Sequence, residues 1–452
     1  MSNSFITTDT KSLFLDLYRQ DIEGDANYYL ALSGADSSSA GLFGQNQARN
    51  EMNFVKVISN KSFVVPNTTW SSGQTYNAYD DNDPDQTLFY VVNSLNEVFV
   101  CIESKKNDEG VVQPSTQEPT GAIAVAFNAK QNTFYTSDGY LWRYLYKLTG
   151  LAINSFKTNT YLPVSKVRTT TSSIAEISEQ FNLQSGATAG EILSLAIDSG
   201  GTGYTFAPRI TVVGNGTGAS FSCEIDEGKI VNVTVDSDGF KNISHGSGYD
   251  YANVTLTGDG GGVLRAVFGP KEGINADPVH SLRSSQFMVN TEIQNNENGT
   301  IPLADPVNDF KQVMLLRNPT KFGTDSDFIA NAGNAMNYFE VVSATGTFIA
   351  DEIFENGDGN QAKVYWHDRV TSPERLYYVQ NHTTGFKTFG VGQTLTGTTG
   401  TQAVIGSNGL KNPEIDRYSG DVLYINNLET AIDRTSTQTE DIKIVIDLGQ
   451  EG

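Results

Sequence analysis

Gly203-Tyr204 recurs as Gly248-Tyr249, and Ile210-Thr211-Val212 followed by Gly214, Gly216 and Gly218 recurs as Val254-Thr255-Leu256 followed by Gly258, Gly260 and Gly262. The offset is 45 residues for the first pair and 44 for the rest. Repeated β-branched triplets punctuated by alternate glycines suit strands and tight turns, and repeated units of this size bury their apolar faces against one another. Each copy therefore reads as a Gly-Tyr turn, a strand, a Gly-rich turn and a second strand, with Lys229 to Val235 as a further strand between copies. A second, unrelated pair lies downstream. Asp351 to Val364, with Glu352, Ile353, Gln361, Ala362 and Val364, matches Gly392 to Ile405, with Gln393, Thr394, Gln402, Ala403 and Ile405, at an offset of 41.

The remainder of the 452 residues carries the same bias, with 43 Gly, 24 Phe, 20 Tyr and only 18% charged residues, which favours many short strands over helical bundles. The expected class is mainly β, a β-sandwich-like multi-domain subunit with a few short helices, whose core carries two inserted β-repeat modules. The boundaries predicted are 1–168 for the N-terminal part of the core, 169–273 for the Gly-rich module, 274–339 for the core's continuation, 340–410 for the second module and 411–452 for the C-terminal core strands. One short helix is expected over Lys11 to Arg19, with Leu13, Phe14, Leu17 and Tyr18 at helical spacing behind Thr7, Thr8 and Asp9. The polar stretch from Ser33 to Asn50 reads as an exposed loop.

After the Asp138-Gly139 turn, Trp142, Tyr144, Tyr146 and Leu148 fall on one face of a strand. At about 25 cal/mol per Å2 and roughly 150–250 Å2 per aromatic, such a face contributes several kcal/mol to a core or to a subunit interface. Trp70, Tyr140, Trp142, Tyr144, Tyr146 and Tyr424 are accordingly the interface-or-core candidates. Near the C-terminus, Ile442, Ile444, Ile446 and Leu448 alternate as in a half-buried strand.

A formal net charge of −22 repels phosphate backbones, and the one basic pair, Lys105-Lys106, is followed by Asp108 and Glu109, so nucleic acid is not an expected partner. Cys101 and Cys223 stand far apart in strand-like stretches and read as buried reduced thiols. No run approaches the roughly 18 apolar residues of a membrane span, and the N-terminus lacks a leader pattern.

Catalytic chemistry finds little to stand on. The histidines are His245, His280, His367 and His382, none with a partner at useful spacing. His245-Gly246-Ser247-Gly248 lacks the frame of a nucleophile elbow and coincides with the repeat's turn. Asp80-Asp81-Asn82-Asp83-Pro84-Asp85 is dense in carboxylates, yet Gln86 and Val92 occupy the places where an EF-hand counted from Asp81 needs Gly and an acid, so an acidic surface loop is expected. Neither glycine run, 200–203 or 260–262, carries the Lys of a phosphate loop. No catalytic, cofactor-binding or metal residue is assigned, and no enzyme activity, cofactor or small-molecule substrate is expected.

Spaced blocks in this chain resemble the baseplate wedge protein family called gene product eight in T-even-type contractile-tailed bacteriophages. They are Val64-Val65-Pro66 with Trp70 four residues on, Asp138-Gly139-Tyr140-Leu141-Trp142-Arg143-Tyr144-Leu145-Tyr146, Phe310 to Pro319, and Tyr418 to Ile425 running into Gln438 to Ile444. The resemblance covers about residues 11–168, 274–335 and 410–452 and omits both repeat modules. It departs from the family at Tyr424 to Ile432, where the family's prolines are missing, and after Ser33-Gly34-Ala35, where a Glu-Pro-Trp ending is missing. It implies a homodimeric, non-enzymatic structural subunit of the virion, assembled in the host bacterial cytoplasm and built into the tail baseplate beside other wedge proteins, in a ring whose rearrangement on host attachment triggers sheath contraction. The competing reading, prompted by Gly-rich repeats and abundant carboxylates, is a receptor-binding or polysaccharide-degrading tail protein.

Overall fold

The computed structural model describes residues 19–20, 22–24, 26–33, 42–107, 109–121, 133–233, 244–295, 297, 310–432 and 438–448. Strands take up 45% of the described residues and helices 9%, so the protein is mainly β, as its composition predicts. The chain divides into two compact units. One holds residues 62–288 and 445–448, the other 19–61 and 289–444.

In the first unit, a four-stranded sheet runs in the order Tyr90–Val92, Glu97–Glu103, Leu141–Lys147, Thr133–Tyr135. The Leu141–Lys147 strand is interior to that sheet and buried on both faces, which is why its alternation of aromatic and other residues does not mark one wet side. Elsewhere in the unit Asn60–Pro66 pairs antiparallel with Tyr161–Val164, placing Val64 opposite Pro163. The Gly150–Phe156 helix begins at Thr149, whose hydroxyl accepts the Ala152 N–H at 3.2 Å. A second helix, Ala175–Ser185, opens the stretch expected to be β-repeat, and its Glu179 accepts the Tyr144 hydroxyl at 3.0 Å.

The Gly-rich repeat folds about a local pseudo-two-fold axis. Strand Arg209–Gly214 of the first copy pairs antiparallel with Ala252–Thr257 of the second, and Thr211 faces Thr255, its own repeat counterpart. The two copies then embrace. Tyr204 of the first packs on Gly260 of the second, and Tyr249 of the second packs on Gly216 of the first. A Cβ on Gly260 would lie 2.6 Å from two ring atoms of Tyr204, and one on Gly216 would lie 2.4 Å from Cγ of Tyr249, so only glycine lets each ring lie flat on the other copy's turn. Neighbouring bonds repeat the exchange: Asp259 accepts from Thr205 N–H at 3.2 Å, and Asn215 Oδ1 accepts from Asp250 N–H at 2.9 Å. The strand between copies spans Lys229–Asn232 and pairs with Glu224–Asp226.

The second unit contains a five-stranded sheet in the order Ala332–Asn334, Met52–Val57, Tyr28–Ser33, Phe310–Arg317, Asp421–Ile432. Tyr29, Ala31, Met52, Val55, Met314 and Leu316 form its buried core. It also contains a closed six-stranded barrel from Asn337 to Lys411. The 41-residue repeat builds this barrel, again about a local two-fold: strand Ile353–Asn356 pairs with Thr394–Gly397, placing Glu355 opposite its counterpart Thr396. Backbone bonds recur at the same offset, Asp351 N to Val364 O at 2.9 Å and Gly392 N to Ile405 O at 2.8 Å. Asp351 and Gly392 both take positive φ, 69° and 78°.

Two expectations change. The segment read as loop through Asn50 contains the helix Leu42–Asn50. The interstrand segment expected to reach Val235 ends as a strand at Asn232, and residues 234–243 lie outside those described. The helix expected over Lys11 to Arg19 lies, but for Arg19, outside the described residues as well.

Candidate interaction surfaces

The aromatic candidates resolve mostly into core. Tyr140, Trp142 and Tyr144 join Tyr76, Phe99, Phe134 and Cys101 in one cluster in which Trp142 is fully buried. Tyr140 and Trp142 stack with centroids 5.6 Å apart, and Tyr76 meets Trp142 edge-on. Tyr146 is also fully buried and donates its hydroxyl to Pro163 O at 3.1 Å. Trp70 is half-buried against the cluster's rim, its Nε1–H donating to Ser115 Oγ at 3.1 Å. Tyr424 is half-buried on the Asp421–Ile432 strand, which lies at an edge of its sheet.

The turn before the aromatic strand is fixed by Asp138. Its carboxylate accepts Ser115 Oγ–H, Thr116 N–H and Gln117 N–H at 2.8, 2.7 and 2.9 Å, and Thr136 Oγ1–H at 2.5 Å. Burial acts to raise its pKa, but these donors outweigh burial and hold it below the ordinary carboxylate value. On the strand itself Arg143 is buried and paired with the buried Glu191, Nη1 to Oε1 at 2.6 Å, while its Nε donates to Thr133 Oγ1 at 2.7 Å. Glu191 stands immediately before the first strand of the Gly-rich module, so this ion pair ties that module to the aromatic sheet.

The acidic loop is tied down by two arginines. Arg265 of the Gly-rich module reaches Asp80 at 2.8 Å and Asp81 at 3.2 Å, and Arg283 donates to Asp80 O at 2.6 Å and Asp83 O at 2.5 Å while lying over the Tyr79 ring. Two guanidinium groups thus take up the Asp80 and Asp81 carboxylates and the Asp80 and Asp83 carbonyls. Among the described residues no group of three or more His, Cys, Asp or Glu is arranged to hold a metal.

His245 and His367 are buried. His245 Nδ1 lies 2.7 Å from Ile192 O, and burial holds its pKa below the ordinary value. His367 Nδ1 accepts the Phe348 N–H at 3.2 Å, which places any ring proton on Nε2, 3.2 Å from Glu374 Oε2 but poorly aligned with it. Burial lowers its pKa, with Glu374 opposing and Arg369 adding to the effect. Cys101 and Cys223 are free and buried, and burial pushes both thiols up, away from reactivity.

A surface cavity of about 200 Å3 lies in the second unit. Phe322, Phe386 and Tyr418 line it and are 43%, 63% and 57% exposed, with Asn337, Gln380, Asp416 and Arg417 between them. Its Asp416–Gly420 turn is braced by Arg49, from the helix Leu42–Asn50, which donates to the carbonyls of Arg417, Ser419 and Gly420 at 2.8, 2.7 and 2.7 Å. Sequence reasoning missed this cavity, since its residues come from four separate segments, each ordinary alone. No family model matches the chain, and a search of curated proteins finds no match.

Proposed function

We propose that the chain is a structural subunit of a phage tail baseplate wedge, holding neighbouring wedge proteins in the ring that rearranges on host attachment to trigger sheath contraction. The support is the placement of the blocks that resemble the wedge family. Two of them, Phe310 to Pro319 and Tyr418 to Ile425, are neighbouring strands of one sheet with Leu315 opposite Tyr424. Another carries the buried aromatic strand Leu141–Lys147. The two stretches outside the resemblance fold on their own repeat symmetry, as insertions into a shared frame would. Where the family has prolines, the proline-free Asp421–Ile432 runs on as a single strand of 12 residues.

As a wedge subunit the chain works through permanent interfaces, homodimeric and with other wedge proteins, and obligate interfaces of that kind bury upwards of about 2,000 Å2. Co-expression with the remaining wedge proteins of the same virus should yield one complex containing this chain on size exclusion. Elution of the chain alone, or release of reducing sugar from host polysaccharide, would oppose the proposal.

A further inference from the structure

The aromatic cavity of the second unit combines features that a protein-packing pocket does not need. Its three exposed rings offer apolar faces, yet the wall between them is polar: the Asn337 and Gln380 amides and the Asp416 carboxylate. Gln380 Nε2 is spent on the carbonyls of Gln361 and Lys387 at 3.1 and 2.9 Å, which leaves its carbonyl oxygen as the group to offer. Asp416 Oδ1 accepts the Tyr418 N–H at 2.9 Å, and its second oxygen has no hydrogen bond among the described residues. An apolar knob from a partner protein would strand these acceptors without water, a loss of about 1–3 kcal/mol for each.

At about 200 Å3 the cavity is also smaller than the roughly 300–1,000 Å3 of sites for drug-sized ligands. A pyranose ring matches both facts: it has C–H faces that stack on aromatic rings and a rim of hydroxyls that donate to amide and carboxylate oxygens. Charge is balanced between Asp416 and Arg417, which argues for a neutral ring. The site is also held ready. Arg49 fixes the turn bearing Tyr418, and the turn before Phe386 is closed by Asn381, whose N–H donates to Thr384 Oγ1 at 2.9 Å and whose carbonyl accepts the Gly385 N–H at 2.8 Å. Little ordering remains to oppose binding.

We infer that the cavity between Phe322, Phe386 and Tyr418 is a subsite for one neutral pyranose unit of a glycan. It is a binding site without catalysis, and it stands or falls independently of the wedge assignment. The test is saturation-transfer NMR on the full chain with the methyl glycosides of glucose, galactose and N-acetylglucosamine as probes. At least one should receive saturation, strongest at its ring C–H protons, and Phe386→Ala should reduce the signal at least tenfold. Val370→Ala, at a residue 97% exposed, should leave it unchanged. Phe386 is too exposed for its loss to unfold the barrel, and unchanged amide exchange across 337–411 checks this. No transfer to any probe, or equal transfer in Phe386→Ala and the parent, overturns the inference. Loss of wedge assembly in Phe386→Ala without any sugar signal would assign the cavity to a protein partner and overturn it equally.

Discussion

Gly260→Ala isolates the embrace that holds the Gly-rich module together. The new Cβ would sit 2.6 Å from Cδ2 and Cε2 and 2.7 Å from Cγ of Tyr204, so its three nearest neighbours all belong to the ring. The ring cannot retreat, because its hydroxyl accepts the Gly262 N–H at 2.8 Å and its backbone N–H is bonded to Gly228 O at 3.1 Å. Overpacking of this kind costs about 1–3 kcal/mol. Tyr204→Ala alone removes a buried aromatic, a loss of about 3–5 kcal/mol by analogy with other large aromatic truncations. In the double variant the added methyl group enters the space the ring has left, so the Gly260→Ala cost should vanish and the two effects should differ from additivity by about 1–3 kcal/mol. Global unfolding suits this poorly, since a chain of two units need not unfold in one step. Hydrogen exchange of peptides across 192–268 reads the module itself. Gly260→Ala should speed exchange there roughly 5- to 150-fold in the parent background and hardly at all beside Tyr204→Ala. Strict additivity would refute the reciprocal packing, and Gly216→Ala against Tyr249 offers the same test at the other end of the two-fold.

Further outcomes follow from single contacts. Glu191→Ala leaves Arg143 charged and buried and should destabilise the first unit by about 3–5 kcal/mol, whereas Arg143→Met with Glu191→Leu should come close to neutral, both read by exchange protection of the Leu141–Lys147 strand. Trp142→Ala should cost about 3–5 kcal/mol by the same readout, but Trp142→Phe much less, because the indole N–H is buried with no partner among the described residues and its removal forfeits no bond. His367 has a folded pKa below its ordinary 6.5, so the unfolded chain binds the extra proton first. The contribution of His367 to barrel stability is therefore full above pH 6.5 and is lost as pH falls below it, and His367→Gln should flatten that dependence in exchange measurements across 337–411.

Local patterning carried a great deal of this architecture. The Gly-rich repeat was visible because a glycine that must sit under a tyrosine, as Gly216 and Gly260 do, leaves a fixed spacing in the chain. The aromatic strand was equally visible, but its burial on both faces was not, since that depends on Glu191 meeting Arg143 from 48 residues away. Distance in sequence also hid the role of the acidic loop, whose carboxylates meet Arg265 and whose backbone carbonyls meet Arg283, both some 200 residues on. Leu42–Asn50 shows no apolar periodicity and contains Gly44. Its last turn is anchored instead through Arg49 to carbonyls about 370 residues later, a tertiary cause that local propensity does not register. The aromatic cavity was beyond reach for the same reason.

Cross-linking mass spectrometry of intact, purified contractile tails bears most directly on the wedge assignment. The account predicts that this chain is present in the baseplate, with cross-links to other wedge proteins and between two copies of itself. Absence from the particle, or cross-links confined to tail fibres and host-surface components, would contradict it.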